Sequence, residues 1–115
     1  MSEDAAPLVP GAVVWIAPDA AVGREQGGRR PALVVAGDDY LATVDTLAIV
    51  VPITTVDRQW PNHIPVVGAE LATASWAMSE QVRTISRDRI VGHVGRADEV
   101  TVASVRGWIS DFLDL

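Results

Sequence analysis

Apolar positions along this chain fall in short runs, and most of those runs read as strands. Val13 to Ala17 is the first, with Gly11 before it and Pro18-Asp19 ending it. Ala32 to Ala36 is the second. Pro31 in front of it biases Arg30 toward extended backbone and cannot donate a ladder hydrogen bond, which suits the start of a strand. Gly37-Asp38-Asp39 turns the chain, and Tyr40 to Thr46 shows neither period clearly. Leu47 to Thr54 is an uninterrupted apolar run and predicts a central strand. Pro52 places its far end at an edge or a bulge, which would re-aim the polar residues that follow, Thr54 and Thr55. Ile64 to Val67 predicts a short strand, then a break at Gly68 and a single helical turn to Thr73. Ser75 to Met78, Gln81 to Ile85 and Ile90 to Val94 complete the strands. Period two puts Gln81, Arg83 and Ile85 on one face. Asp98 is placed to cap a helix from Glu99 to about Leu113, with Val102, Val105, Ile109 and Phe112, and Trp108 beside them, as its apolar face. The sum is a mainly β fold with a C-terminal α-helix: about five to seven short strands in a small antiparallel barrel, closed or nearly so.

At 115 residues the chain is one domain with room for its own core. Residues 1–10 read as a flexible N-terminal lead-in and 11–115 as the barrel domain. No apolar run is long enough to span a bilayer, and the acidic start is unlike a signal peptide. Cysteine is absent, which excludes disulfides and thiolate metal sites. These features predict a cytoplasmic protein without a membrane partner. Charge complicates a nucleic-acid role: 15 acidic and 9 basic residues give a net charge of −6, and every basic residue is arginine. General RNA-binding surfaces are basic. The arginines cluster, however, as Arg24, Arg29, Arg30 and as Arg83, Arg87, Arg89. The acids lie mostly elsewhere, so a local positive groove is compatible with the total.

The chemistry-bearing residues exclude several classes. His63 and His93 are far apart, so no metal constellation stands out, and no cofactor is expected. Neither a glycine-rich phosphate loop before a helix nor a Gly-x-Ser-x-Gly elbow is present. What remains around the loops is arginine, threonine, glutamate and histidine. That set suits RNA cleavage in which the ribose 2′-hydroxyl attacks the adjacent phosphate while the protein positions groups, moves protons and stabilises negative charge. The Arg30 fork can hold two phosphate oxygens at once; its bland role is an ion pair with Glu25. For Thr54 the plain alternative is β propensity at a strand end, for Glu25 a solvated loop acid, and for His63 an ordinary surface histidine. Trp15 reads as a core or barrel-edge residue rather than a base platform.

Four motifs in order carry a resemblance. They are Gly11-x-Val13-Val14-Trp15; Gly23-x-Glu25-Gln26-Gly27-Gly28-x-Arg30-Pro31-x-Leu33-Val34-Val35; Val51-Pro52-Ile53-Thr54-Thr55; and Glu80-Gln81-Val82-Arg83-Thr84-Ile85 with Arg89-Ile90 behind. Together they resemble the MazF/PemK-type endoribonuclease toxins over residues 11–115, nearly the whole chain. The resemblance implies the SH3-like barrel shared with the gyrase-poisoning CcdB toxins. It implies a sequence-selective, metal-independent cut of single-stranded RNA that leaves 2′,3′-cyclic phosphate and 5′-hydroxyl ends. It further implies a homodimer neutralised by a cognate antitoxin. It assigns Arg30 and Thr54 to catalysis and lines the RNA groove with Gln81 and Arg83; Glu25, Gln26, Arg29 and His63 are candidates for RNA binding or auxiliary roles. The competing classes are a non-enzymatic, CcdB-like gyrase poison and an inactive relative that only binds antitoxin. Two departures, Arg24 where the family often has serine and a missing asparagine after the second strand, leave the RNA preference open.

Overall fold

The computed structural model describes residues 7–18 and 28–115. Among these residues seven strands and two α-helices follow one another as β1 (Ala12–Ile16), β2 (Arg30–Val34), α1 (Asp38–Thr43), β3 (Leu47–Thr54), β4 (His63–Pro65), β5 (Trp76–Met78), β6 (Arg83–Ser86), β7 (Ile90–Arg96) and α2 (Glu99–Phe112). Every pairing is antiparallel. The strands run in the order β4-β5-β3-β2-β1-β7, with β6 also on β3, and this path is not closed.

β3 organises the sheet, and Pro52 explains how. Val35 donates its backbone N–H to Ile49 O at 3.0 Å, so odd residues of β3 turn their backbone groups toward β2 and even ones toward the opposite edge. On that opposite edge β6 pairs with Leu47 to Val50 and β5 with Ile53 and Thr54. Pro52, an even residue with no N–H to give, sits where one partner leaves and the other begins. The expected break at Pro52 is therefore a change of partner strand.

Both faces of the sheet are buried. One face gathers Val14, Ile16, Ala32, Val34, Ala48, Val50 and Ile85, covered by Leu41 of α1. The other gathers Val13, Leu33, Val51, Ile53 and Ala77 against Val102 and Val105 of α2. Side chains that alternate between two cores, at roughly 1.5–3 kcal/mol for each large one buried, fix the register of the central strands firmly. A slip of one residue would exchange the two cores.

Several elements differ from the sequence expectation. Tyr40 to Thr46 holds most of α1, only six residues long. The helical turn expected before Thr73 is absent; Gly68 to Thr73 contains bends. Gln81 lies in a 3-10 turn, Ser79–Gln81, so β6 starts only at Arg83. Phe112 is 49% exposed and packs on Trp108, with ring centroids 5.8 Å apart, instead of entering the core. Asp98 occupies the N-cap of α2 in extended conformation, but its side chain makes no capping bond.

Candidate functional site

α1 joins the end of β2 to the start of β3, and so covers one end of the face whose core includes Val34 and Val50. Among the described residues the opposite end of the same two strands carries no helix. It carries Arg30, the first residue of β2, and Thr54, the last of β3. The register Val34↔Val50, Leu33↔Val51, Ala32↔Pro52, continued by two residues, sets Arg30 opposite Thr54. Directly opposite residues of an antiparallel pair share a face. Thr54 in turn faces Trp76 of β5, and Trp76 faces Pro65 of β4. Arg83 faces Val50 from β6. Arg30, Thr54, Trp76, His63 and Arg83 thus belong to one face by register.

Arg30 is exposed, and among the described residues its guanidinium has no hydrogen-bond partner. Thr54 is half-buried, and its Oγ1 accepts from Val56 N at 3.1 Å. That bond leaves the hydroxyl proton free to donate. Arg83 donates to Gln81 Oε1 at 3.2 Å, so the expected proximity of these two side chains is present although Gln81 is not in a strand.

His63 is 5% exposed, not a surface histidine. Its Nε2 lies 3.0 Å from Glu80 Oε2, while Asn62 Nδ2 donates to Glu80 Oε1 at 2.7 Å. Both oxygens of one carboxylate therefore fasten β4 and the loop before it to the 3-10 turn. Burial, the largest single influence, would raise the pKa of Glu80; hydrogen bonding and charge from His63, with further hydrogen bonds from the Glu80 backbone and Gln81, together outweigh it and hold the carboxyl below its ordinary value of 4.5. A ring enclosed and engaged in this way orients its neighbours and is badly placed to shuttle substrate protons. Sequence reading passed over Glu80 and Asn62 as site residues. The signal was present in Asn62-His63 and Glu80-Gln81, but only the β4–β5 pairing brings the two segments together.

The arginines divide sharply. Arg29 lies over the Trp15 ring, 4.4 Å from its centroid. Trp15 alternates with Val14 and Ile16 and so projects from the face opposite Arg30; Arg29 follows it, away from Arg30 and Thr54. The cluster expected at Arg83, Arg87 and Arg89 is not one surface. Arg87 donates to the carbonyls of Leu41, Val44 and Leu47, closing the end of α1. Arg89 donates twice to Ala17 O, Arg96 to Pro10 O, and Arg106 to Val35 O and Ala36 O. Arg24, Glu25 and Gln26 lie outside the described residues. Among the described residues no three His, Cys, Asp or Glu side chains group as metal ligands would, and no helix is long and apolar enough to cross a membrane.

Residues 10–113 match the family of PemK-like, MazF-like toxins of type II toxin–antitoxin systems. Among solved structures, the MazE–MazF complex of Deinococcus radiodurans (Form-II) contains a chain 27% identical, with a TM-score of 0.81 over 96% of this chain and 99% of that one. An endoribonuclease in complex with its cognate antitoxin, from a mycobacterial species, has a TM-score of 0.74 at 18% identity, covering 94% and 96%. Mycobacterium tuberculosis toxin MazF-mt6 has a TM-score of 0.72 at 20% identity, covering 90% and 97%. The last two share the fold; the family match carries the kinship.

Proposed function

This chain belongs to the PemK-like, MazF-like toxins of type II toxin–antitoxin systems, a family of endoribonucleases, and on that premise we propose that it cuts single-stranded RNA at the groove between Arg30 and Thr54. The supporting observation is that the β2–β3 register puts these two residues opposite one another at the end of the sheet away from α1. In this reading Arg30 holds the non-bridging oxygens of the scissile phosphate through its planar fork and stabilises the charge that builds there. A guanidinium remains charged in proteins, so its contribution is electrostatic and not that of a general base. Thr54 donates its hydroxyl to the same phosphate and fixes it for in-line attack. The neighbouring 2′-hydroxyl attacks phosphorus and the 5′-oxygen leaves, taking a proton from water, to give 2′,3′-cyclic phosphate and 5′-hydroxyl ends. Glu25, the carboxylate nearest to Arg30 in sequence, is our choice to accept the 2′-hydroxyl proton, since His63 is already engaged by Glu80.

Positive charge comes from side chains in this scheme, so cleavage proceeds without metal. Selectivity comes from base contacts near Gln81 and Arg83. The working form is a cytoplasmic homodimer held inactive by a cognate antitoxin, in line with the neighbours crystallised as toxin–antitoxin complexes. Incubating the protein with a long RNA in EDTA tests the reading. Discrete fragments whose 5′ ends accept phosphate from a polynucleotide kinase without prior phosphatase treatment are expected. Arg30→Ala should lower the rate by on the order of 10²–10³ while folding normally. An Arg30→Ala protein with undiminished activity, or cleavage abolished by EDTA, would contradict the assignment. No cleavage alongside intact antitoxin binding would identify an inactive relative.

A further inference from the structure

We infer that Trp60 is a stacking platform for an unpaired base of the RNA strand whose phosphate is held by Arg30 and Thr54. The inference rests on the RNA-cleaving reading and adds to it a subsite on the loop that follows Thr54. That loop is fixed along its length. Val56 N donates to Thr54 Oγ1 at 3.1 Å and Gln59 N to Asp57 Oδ1 at 2.9 Å. Gln59 sits at φ 61°, a left-handed conformation that a non-glycine residue adopts at a cost. At the far end His63 N donates to Trp60 O at 3.1 Å, Ser79 N donates to Asn62 O at 3.3 Å, and Glu80 holds the Asn62 side chain.

On this rigid support Trp60 is 49% exposed. Tryptophan is on average highly buried, so an indole presented by an ordered loop invites a ligand with a matching face. One side of the ring is backed by the buried His63 imidazole, with centroids 4.8 Å apart at 49°. The buried imidazole occupies that side of the indole and leaves the rest of the ring to solvent. The Arg58 guanidinium stands 5.9 Å from the ring centroid, the outer limit of a cation–π contact, and supplies the positive charge a nucleic-acid backbone needs. Position agrees with this. His63 shares a face with Pro65, and through Trp76 with Thr54, two strands or about 10 Å across the sheet. Nearby negative charge is contained: one Asp57 oxygen accepts the Gln59 N–H, and Glu80 is held by His63 and Asn62. An apolar protein partner would gain nothing from Arg58, which is why a base is favoured over a protein side chain.

The test begins by mapping a cleavage site of the wild-type protein in a long RNA. A fluorescein-labelled oligonucleotide spanning that site is then made with a 2′-deoxy nucleotide at the cut, so that it binds without being cleaved. Stacking of one base predicts that Trp60→Ala weakens binding by about tenfold to a hundredfold, that Trp60→Leu does the same, and that Trp60→Phe retains most of the affinity. Trp60→Leu keeps the apolar bulk, so it decides the matter if Trp60→Ala fails to fold. A scan of single abasic nucleotides should find one position whose loss costs the wild type as much and costs Trp60→Leu nothing further. Binding by Trp60→Leu equal to wild type, or equal losses at every abasic position, overturns the inference while the cleavage reading stands. Unchanged RNA affinity with weakened dimer or antitoxin binding assigns the indole to a protein interface and overturns it as well. If the wild type neither cleaves nor binds RNA, the functional reading falls first and the inference with it.

Discussion

If the groove alone meets RNA, its salt dependence should be shallow, and the arginines should separate into two groups. A chain of net charge −6 repels a polyanion at long range, so affinity must come from local contacts. Among the described residues, Arg30, Arg58 and Arg83 are the arginines near Thr54 and its following loop that close no strand or helix end; Arg83 is held only by Gln81, at 3.2 Å to its side chain and 3.5 Å to its carbonyl. Each phosphate neutralised on a single strand contributes about 0.7 to the slope of log affinity against log salt, so three give about −2. In an Arg30→Ala background, which cuts on the order of 10²–10³ times more slowly, about −1.4 is left. Raising salt from about 50 to about 200 mM should then weaken binding about sevenfold; adding Arg83→Gln should reduce that to between two- and threefold. Arg29→Gln should not move the slope, because Arg29 lies on Trp15 across the sheet. Arg106→Gln should not move it either, but it should lower stability. Its guanidinium donates to Val35 O at 2.9 Å and Ala36 O at 3.3 Å, and both carbonyls would lose a charged donor. Such a loss costs about 1–3 kcal/mol, which in a domain of this size shifts the melting temperature by several degrees. Fluorescence anisotropy across a salt series and a thermal melt of each variant supply the readings. A slope steeper than about −4, or equal effects from Arg83→Gln and Arg106→Gln, would mean that a diffuse surface binds RNA and would refute the groove.

Two further outcomes follow from the supporting structure. The folded-state pKa of Glu80 lies below its ordinary value of 4.5, so its stabilisation is present above that value and is lost as pH falls through the folded one. Glu80→Gln should therefore lose stability at neutral pH and show a flatter acid limb in urea melts between about pH 5 and 3; an acid limb parallel to wild type would refute the role given to the carboxylate. At Gly68 φ is +101°, and an added Cβ would lie 2.8 Å from the backbone N of Asp98 and closer still to its carboxylate. Gly68→Ala should destabilise by about 1–3 kcal/mol by forcing the start of α2 to shift, and an unchanged urea midpoint would show that the contact relaxes freely.

Much of the fold was legible because the strong signals are local. Leu47 to Thr54 reads as a strand on composition alone and is one residue for residue. Arg30-Pro31 marks the start of β2 because proline restricts its neighbour wherever it occurs. α1 was not legible: six residues are too few to display a helical period, and its end is closed by Arg87 from far along the chain. The same limit governs the arginines. Nothing local distinguishes Arg83, exposed on the Thr54 face, from Arg87, half-buried among carbonyls. Arg83 opens β6 and Arg87 follows its end, and only the completed sheet decides which carbonyls need a donor.

That division also answers the charge problem the sequence raised. Four of the nine arginines, Arg87, Arg89, Arg96 and Arg106, satisfy backbone carbonyls left open at strand and helix ends. Without lysine in the chain, arginine takes over this structural work, for which a planar fork with several donors is better shaped than an ammonium. The acids are distributed to match. Asp38 and Asp39 begin α1 at the covered end of the face, and Glu99, Asp111 and Asp114 lie on or just beyond α2, behind the sheet. Net charge summed over the molecule thus says little about the groove, where Arg30 and Arg83 face outward on one side of β3. A protein of this composition can hold a short stretch of RNA tightly at one site while rejecting it elsewhere, and selective cleavage requires that combination more than it requires high affinity.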